Sequence, residues 1–199
     1  MKVEIFSDVV CPWCYIGHRR FARAAARFAG EVEVTYRPFE LNPDAPAEGE
    51  PLLEALGRKF GGSAAQMTEH VAAVGAEEGL ELRFGQAISA NSFEAHRLIE
   101  LAAGQGLAAR MADRLFAAHF TDGLNIGDPE VLAKLAAEVG VTETGEAAAQ
   151  VREQLARARE LGITSVPFFL FEERFGVSGA QPEDTFLAAL EEVAQRTAG

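Results

Sequence analysis

Cysteine is scarce: the chain of 199 residues has two, Cys11 and Cys14. A scaffold built on disulfides is excluded, because a bridge between them closes only a tiny loop. The chain-entropy value of such a loop is roughly 2 kcal/mol, less than linking distant segments gives. A chain of this length has enough core to fold without it. Positive charge is also short, with 18 Lys and Arg against 30 Asp and Glu and a formal net charge of −12. Such a chain repels phosphate, which excludes nucleic acid and an anionic membrane surface as expected partners. No apolar run approaches the roughly 18 residues of a membrane span. Glu4 and Asp8 interrupt the amino-terminal segment where a secretion signal would need an unbroken apolar stretch, so a cytoplasmic location is expected. His18, His70, His96 and His119 are far apart and none forms a metal-finger pair, so neither a metal nor another cofactor is expected. What remains, 48% hydrophobic and 24% charged residues, is the composition of a globular protein with a true core.

Lys2 to Phe6 alternates and reads as a strand. A helical pattern follows from Pro12 to about Phe28, with Tyr15, Phe21, Ala25 and Phe28 on one stripe and Gly30 as its stop. Pro12 suits a first helical turn, and Arg19, Arg20, Arg23 and Arg27 suit the later ones. Glu31 to Phe39 is a second alternating strand. Asn42 to Pro51 is rich in Pro, Gly, Glu and Ala and reads as a linker. From Pro51 to Leu161 nearly everything is helical in pattern. Ser63 with Gln66 and Asn91 with Glu94 have capping-box form, Asp128-Pro129 is a cap followed by a first-turn proline, and a last helix runs from Thr144 to Leu161. Leu107, Met111 and Leu115 belong to stripes that read as core. Ile163 to Phe171 and Phe175 to Ser178 are short strands, and Pro182 to Arg196 is a closing helix. The order is strand-helix-strand, a helical block, then strand-strand-helix. Residues 44–160 hold ten basic and nineteen acidic residues against eight and eleven in the outer pieces, so the acidity sits mostly in the block.

Cys11 therefore stands at the N-terminus of the first helix, where unpaired backbone N–H groups and the helix dipole favour thiolate over thiol. Thiolate is the attacking species in disulfide exchange. Cys14 lies one turn deeper, more buried, and is placed to resolve the mixed disulfide. Pro167 inside an apolar strand is either an edge-strand trans proline or a cis proline. The cysteine pair upstream and the strand-strand-helix ending favour cis, which would turn the Val166 backbone outward toward an extended substrate.

These residues carry a resemblance. Ser7-Asp8-Val9-Val10-Cys11-Pro12-Trp13-Cys14-Tyr15-Ile16-Gly17, Tyr36 to Pro43, Asn91 to Leu98, Thr164 to Phe169 and Val177 to Gln181 are similar to the DsbA-like branch of the thioredoxin-fold oxidoreductases, in particular its FrnE-type subfamily. The resemblance implies an α/β thioredoxin fold with a large all-helical insertion: a thioredoxin-like domain from 1–43 and 162–199, and an inserted helical domain at 44–161. It implies Cys11 as attacking thiol, Cys14 as its partner and Pro167 in cis beside them. Periplasmic members typically have histidine between the cysteines, where this chain has Trp13. Without an imidazolium there, weaker activation of the thiol is expected. Trp13 offers a flat apolar contact for substrate, or packs simply as a half-exposed tryptophan. Related glutathione-using transferases and isomerases carry serine in place of Cys11 and a charged glutathione-gripping loop, which matches uncharged Ser178-Gly179-Ala180-Gln181 here.

Glu4 and Glu40, on or near the first two strands, are candidate acceptors of the Cys14 proton, or else solvated strand-end charges. His96 either faces the cleft or is a satisfied or surface histidine. A hydrophobic peptide groove between block and thioredoxin part is a further expectation. The expected function is thiol–disulfide oxidoreductase or disulfide isomerase, acting on protein or small-molecule disulfides and thiols with glutathione as a candidate reductant. In a reducing cytosol, reduction or isomerisation is favoured over net oxidation. The alternatives are a glutathione-dependent isomerase or transferase, and a non-enzymatic redox-sensing or chaperone module. Related insertion-bearing proteins are often dimers, so a homodimer is an expectation.

Overall fold

The computed structural model describes residues 1–142 and 147–197. Strand β1 (Lys2–Ser7) leads into helix α1 (Pro12–Arg27) and strand β2 (Glu33–Pro38). A two-residue strand β3 (Glu50–Pro51) opens the block of α2 (Leu52–Phe60), α3 (Ala64–Glu77), β4 (Ile88–Ser89), α4 (Phe93–Ala103), α5 (Ala108–Phe120), α6 (Pro129–Val139) and α7 (Ala148–Glu160). Strands β5 (Phe168–Phe171) and β6 (Phe175–Ser178) and helix α8 (Glu183–Thr197) complete the chain. The main sheet has the order β2-β1-β5-β6. β1 runs parallel to β2, pairing Ile5 with Tyr36, and antiparallel to β5, pairing Ile5 with Phe169.

Alternation along β1 sends Val3 and Ile5 to one face, where Phe169 and Phe171 join them. α1 and α8 cover that face through Phe21, Ala24, Phe186 and Leu190. The rings of Phe169 and Phe186 meet edge to face at 4.4 Å between centroids. Phe6, on the opposite face, packs with Ala158 of α7 and Ile163. The other side of α1 serves the helical block: Tyr15 stacks on Phe116 of α5 at 5.0 Å. Arg20 and Arg23 both bind Glu78, just past α3, while Arg23 and Arg27 bind Glu183 at the start of α8.

Several boundaries differ from the sequence expectation. α1 stops at Arg27 rather than at Gly30, because Phe28 turns extended and packs with the α1–α8 core. Only the last four residues of the Ile163–Phe171 run form strand; the Ile163 N–H closes the end of α7 on the Ala158 carbonyl. Neither capping box forms. The Ser63 hydroxyl donates to the Phe60 carbonyl, and Asn91 Oδ1 accepts from the Phe93 N–H while Glu94 pairs with Arg97. Asp128 caps α6 as its sequence suggests, accepting from the Glu130 N–H at 2.8 Å. The expected helix start at Thr144 lies outside the described residues; α7 is helical from Ala148. The 42–51 segment is pinned rather than free, since Asn91 donates to the Pro43 carbonyl and Asn125 to those of Ala47 and Glu48. Gly127 permits this approach: a Cβ there would lie 2.6 Å from the Ala47 carbonyl oxygen.

Glu4 is 7% exposed on β1. Arg157 of α7 grips its carboxylate through both guanidinium tips at 2.6 and 2.8 Å, and Arg37 of β2 donates at 2.6 Å. Burial alone would raise the Glu4 pKa, but the two arginines outweigh it and hold it below its ordinary value. A depressed carboxyl stabilises the fold above its unfolded pKa and loses that contribution as pH falls through the folded one. Glu4→Gln should therefore cost about 2–4 kcal/mol at neutral pH by urea denaturation, because it leaves two partly buried guanidiniums unpaired. The gap to the unsubstituted protein should close in the acid range, where both carry a neutral side chain.

Candidate functional site

The β1–α1 junction sets the positions of both sulfurs. Cys11 is the N-cap of α1, with φ −96° and ψ 114°, and Pro12 opens the helix, where a missing N–H costs nothing. The Cys11 N–H donates to the Asp8 carbonyl at 3.0 Å, and the Cys14 N–H donates to the Cys11 carbonyl at 3.0 Å. No side chain caps the helix. Pro12 has no N–H and the Cys14 and Tyr15 N–H groups both go to the Cys11 carbonyl, so the positive end of the helix dipole is what the Cys11 side chain meets. Both cysteines are free thiols.

Cys11 is 5% exposed and Cys14 1%. The Val166–Pro167 peptide bond is cis, and the Val166 carbonyl oxygen lies 3.9 Å from Cys11 Sγ. Pro167 packs against α1 at Gly17, where a Cβ would come 3.0 Å from the proline ring. Burial pushes the Cys14 thiol up, and the hydrogen bond to Cys11 and the negative charge developed there push it the same way. The Asp8 backbone N–H and the Ser7 hydroxyl act in the opposite sense and are outweighed. Cys14 is thus held as a thiol at neutral pH.

Cys11 opens on a cavity of about 550 Å³ between the β1–α1 junction and the helical block. Trp13, Leu41, Phe60, Met67, Val71 and Phe84 give it apolar walls, with Arg58 and Lys59 at one edge. Leu41, Phe60 and Met67 are each more than two-fifths exposed, an unusual concentration of large apolar surface around one opening. Trp13 is half-buried and its ring lies 6.1 Å from that of His70. Arg58 is already paired with Glu50.

The secondary candidates separate. Glu4 is committed to its two arginines and belongs to the sheet's rear ion cluster. Glu40 is half-buried, and burial raises its carboxyl, opposed by the neighbouring His96 and reinforced by Asp8. His96 is buried at 5% exposure: Nε2 lies 3.0 Å from the Phe39 carbonyl and 3.5 Å from Asp8 Oδ1. The group the sequence reading passed over is Asp8. It is 0% exposed, and its carboxylate accepts from the Leu41 N–H at 2.7 Å and the Val10 N–H at 3.4 Å. Its signal was visible: an acid three residues before a helix-start cysteine, in an otherwise apolar run. His119 is wholly buried, and burial pushes its imidazole down to about 4, so it stays neutral.

A family model for the DSBA-like thioredoxin domain matches residues 2–191, and the chain belongs to that family of thiol–disulfide oxidoreductases. A probable DsbA oxidoreductase from Streptomyces coelicolor superposes with a TM-score of 0.89 at 36% identity, covering 96% of this chain and 89% of that one. The Bacillus subtilis protein YwbO is 29% identical over 202 residues, which is 96% of each chain. The cytosolic disulfide reductase DsbM of Pseudomonas aeruginosa, solved with glutathione, shares the fold with a TM-score of 0.66 at 22% identity, covering 98% of this chain and 100% of its own.

The unequal setting of the two sulfurs gives a direct expectation. Iodoacetamide at neutral pH should alkylate Cys11 alone in the folded protein, and Cys14 only after denaturation, as read by peptide mass spectrometry. Equal labelling of both would contradict the protonated, enclosed state of Cys14.

Proposed function

We propose that the protein is a FrnE-type dithiol–disulfide oxidoreductase that reduces or isomerises disulfides in the cytoplasm, with Cys11 as nucleophile and Cys14 as resolving thiol. The observation that carries this reading is the placement of Cys11: a thiol at an uncapped helix N-terminus, opening on an apolar cavity beside the Val166 carbonyl.

The chemistry runs in two exchanges. The Cys11 thiolate attacks one sulfur of the client disulfide, an S–S bond forms to Cys11, and the client's other sulfur leaves as thiolate. Cys14 then loses its proton and attacks Cys11 Sγ. The Cys11–Cys14 bond forms, the mixed disulfide breaks, and the second client sulfur leaves with the electron pair. Two electrons pass to the client and the enzyme ends oxidised. The Trp13, Leu41, Phe60 and Met67 walls suit an apolar segment around the client cysteine, and the Val166 backbone lies alongside it. Returning the pair to dithiols needs an external thiol. Glutathione fits that role chemically, and a structural neighbour described as a cytosolic disulfide reductase was solved with it. The glutathione-dependent isomerase reading has less support. The 178–181 loop has no charged side chain, and its backbone is already engaged, with Gly179 N–H donating to Pro167 and the Ala180 carbonyl accepting from Arg20.

Cys14→Ala should accumulate mixed disulfides through Cys11 that are visible on non-reducing gels. Cys11→Ser should abolish insulin reduction. Full turnover by Cys11→Ser would reject the mechanism, and client holding without exchange by the unsubstituted protein would indicate a binding module instead.

A further inference from the structure

In that mechanism, Cys14 must give up a proton inside the protein, since its thiol is 1% exposed and held protonated. The surroundings hold a route. A small cavity of about 10 Å³ lies between the end of β1, strand β2 and helices α4 and α5. That is close to the volume needed to hold one water molecule. Ser7, Tyr36, Arg37, His96 and Glu100 supply its polar lining. Ser7 is the last residue of β1, and its hydroxyl is near enough to the Cys14 sulfur to favour the thiolate there. His96 stands across the cavity on α4.

The state of the His96 ring follows from its partners. Nε2 faces the Phe39 carbonyl at 3.0 Å and the Asp8 carboxylate at 3.5 Å, and both can only accept. Nε2 therefore carries the proton, and in the neutral ring Nδ1 is the basic nitrogen. The other charged groups around the ring are Glu40 from the segment after β2, Arg37 of β2, Glu100 one turn further along α4, and Arg159 of α7, which acts on Glu40. Arg37 is a cation bound to Glu4, and Glu100 accepts from Gln154 and as a carboxylate is ordinarily a weaker base than an imidazole, which makes the ring the stronger base on this cavity.

We propose that His96, oriented by Asp8, receives the Cys14 proton through the Ser7 hydroxyl and a water in this cavity as Cys14 closes the disulfide. The proposal rests on the two-cysteine mechanism above. Ser7 passes its own proton to the water as it takes the one from Cys14 Sγ, the water protonates His96 Nδ1, and the S–S bond forms as the second client thiolate leaves. Deprotonation of imidazolium to solvent resets the ring. Asp8 acts as a positioning residue, since it touches neither sulfur with its side chain.

The test separates the two exchanges. Reduced protein mixed with a dipyridyl disulfide in a stopped-flow instrument releases one pyridinethione when Cys11 attacks and a second when Cys14 resolves. In His96→Gln the first phase should stay within about two-fold and the second should slow by about ten-fold or more near neutral pH. The deficit should shrink as pH rises, because hydroxide then takes the Cys14 proton directly. Ser7→Ala, which removes only an oxygen, should show the same selective slowing and decides the matter if His96→Gln fails to fold. An unchanged second phase in either folded variant, equal slowing of both phases, or a deficit independent of pH would overturn the proposal. Absence of a first phase in the unsubstituted protein would instead remove the oxidoreductase reading itself.

Discussion

A carboxylate with no contact to solvent has to find its hydrogen bonds inside the protein, and Asp8 meets that demand by drawing three parts of the chain together. Its side chain holds the N–H groups of Val10 and Leu41 and faces His96 of α4, while its carbonyl receives the Cys11 N–H. The turn from β1 into α1, the segment leaving β2 and the helical block are thereby fixed around one residue. The placement of Cys11 at the head of α1 is a consequence. So is one edge of the apolar cavity in front of Cys11, because Leu41 reaches its position through its N–H bond to the same carboxylate.

Helix α1 is shared between two packing environments. Phe21 and Ala24 belong to the layer that covers the sheet with α8, whereas Cys14, Tyr15 and Ile16 belong to the core of the helical block. The first turns of the helix, which carry both cysteines, thus sit at the seam of two cores. Arginines along its outer side bind Glu78 and Glu183 and tie the seam from without.

The sequence made the placement of Cys11 and Cys14 at a helix start, the order of elements and the capped start of α6 legible, because these depend on local spacing and residue type. Cys11 and Cys14 one turn apart behind a strand, and Asp128 before Pro129, need no knowledge of distant partners. The capping boxes at Ser63 and Asn91 looked equally local, yet Ser63 sits inside a continuing helical turn and Glu94 is taken by Arg97. Glu4 read as a candidate acid because nothing near it in sequence announces Arg157, which is 153 positions away. His96 shows the same difficulty in reverse: its burial and its carboxylate partner arise only when α4 docks against the end of β1. Long-range ion pairs decide which acid is spent on stability and which polar group is left near a sulfur, and periodicity carries no trace of them.

The first strand of the chain occupies the interior of the sheet, between β2 and β5, and its partner Phe169 is made long after Ile5. On the ribosome, β1, α1 and β2 therefore wait for the whole helical block before the sheet can close, a delay on the order of ten seconds at typical synthesis rates of about 5–20 residues per second. Throughout that interval one edge of β1 is unpaired and the cysteine-bearing helix lacks the α8 side of its packing. The nascent chain thus carries its two thiols and a bare apolar strand well before the fold can close over either.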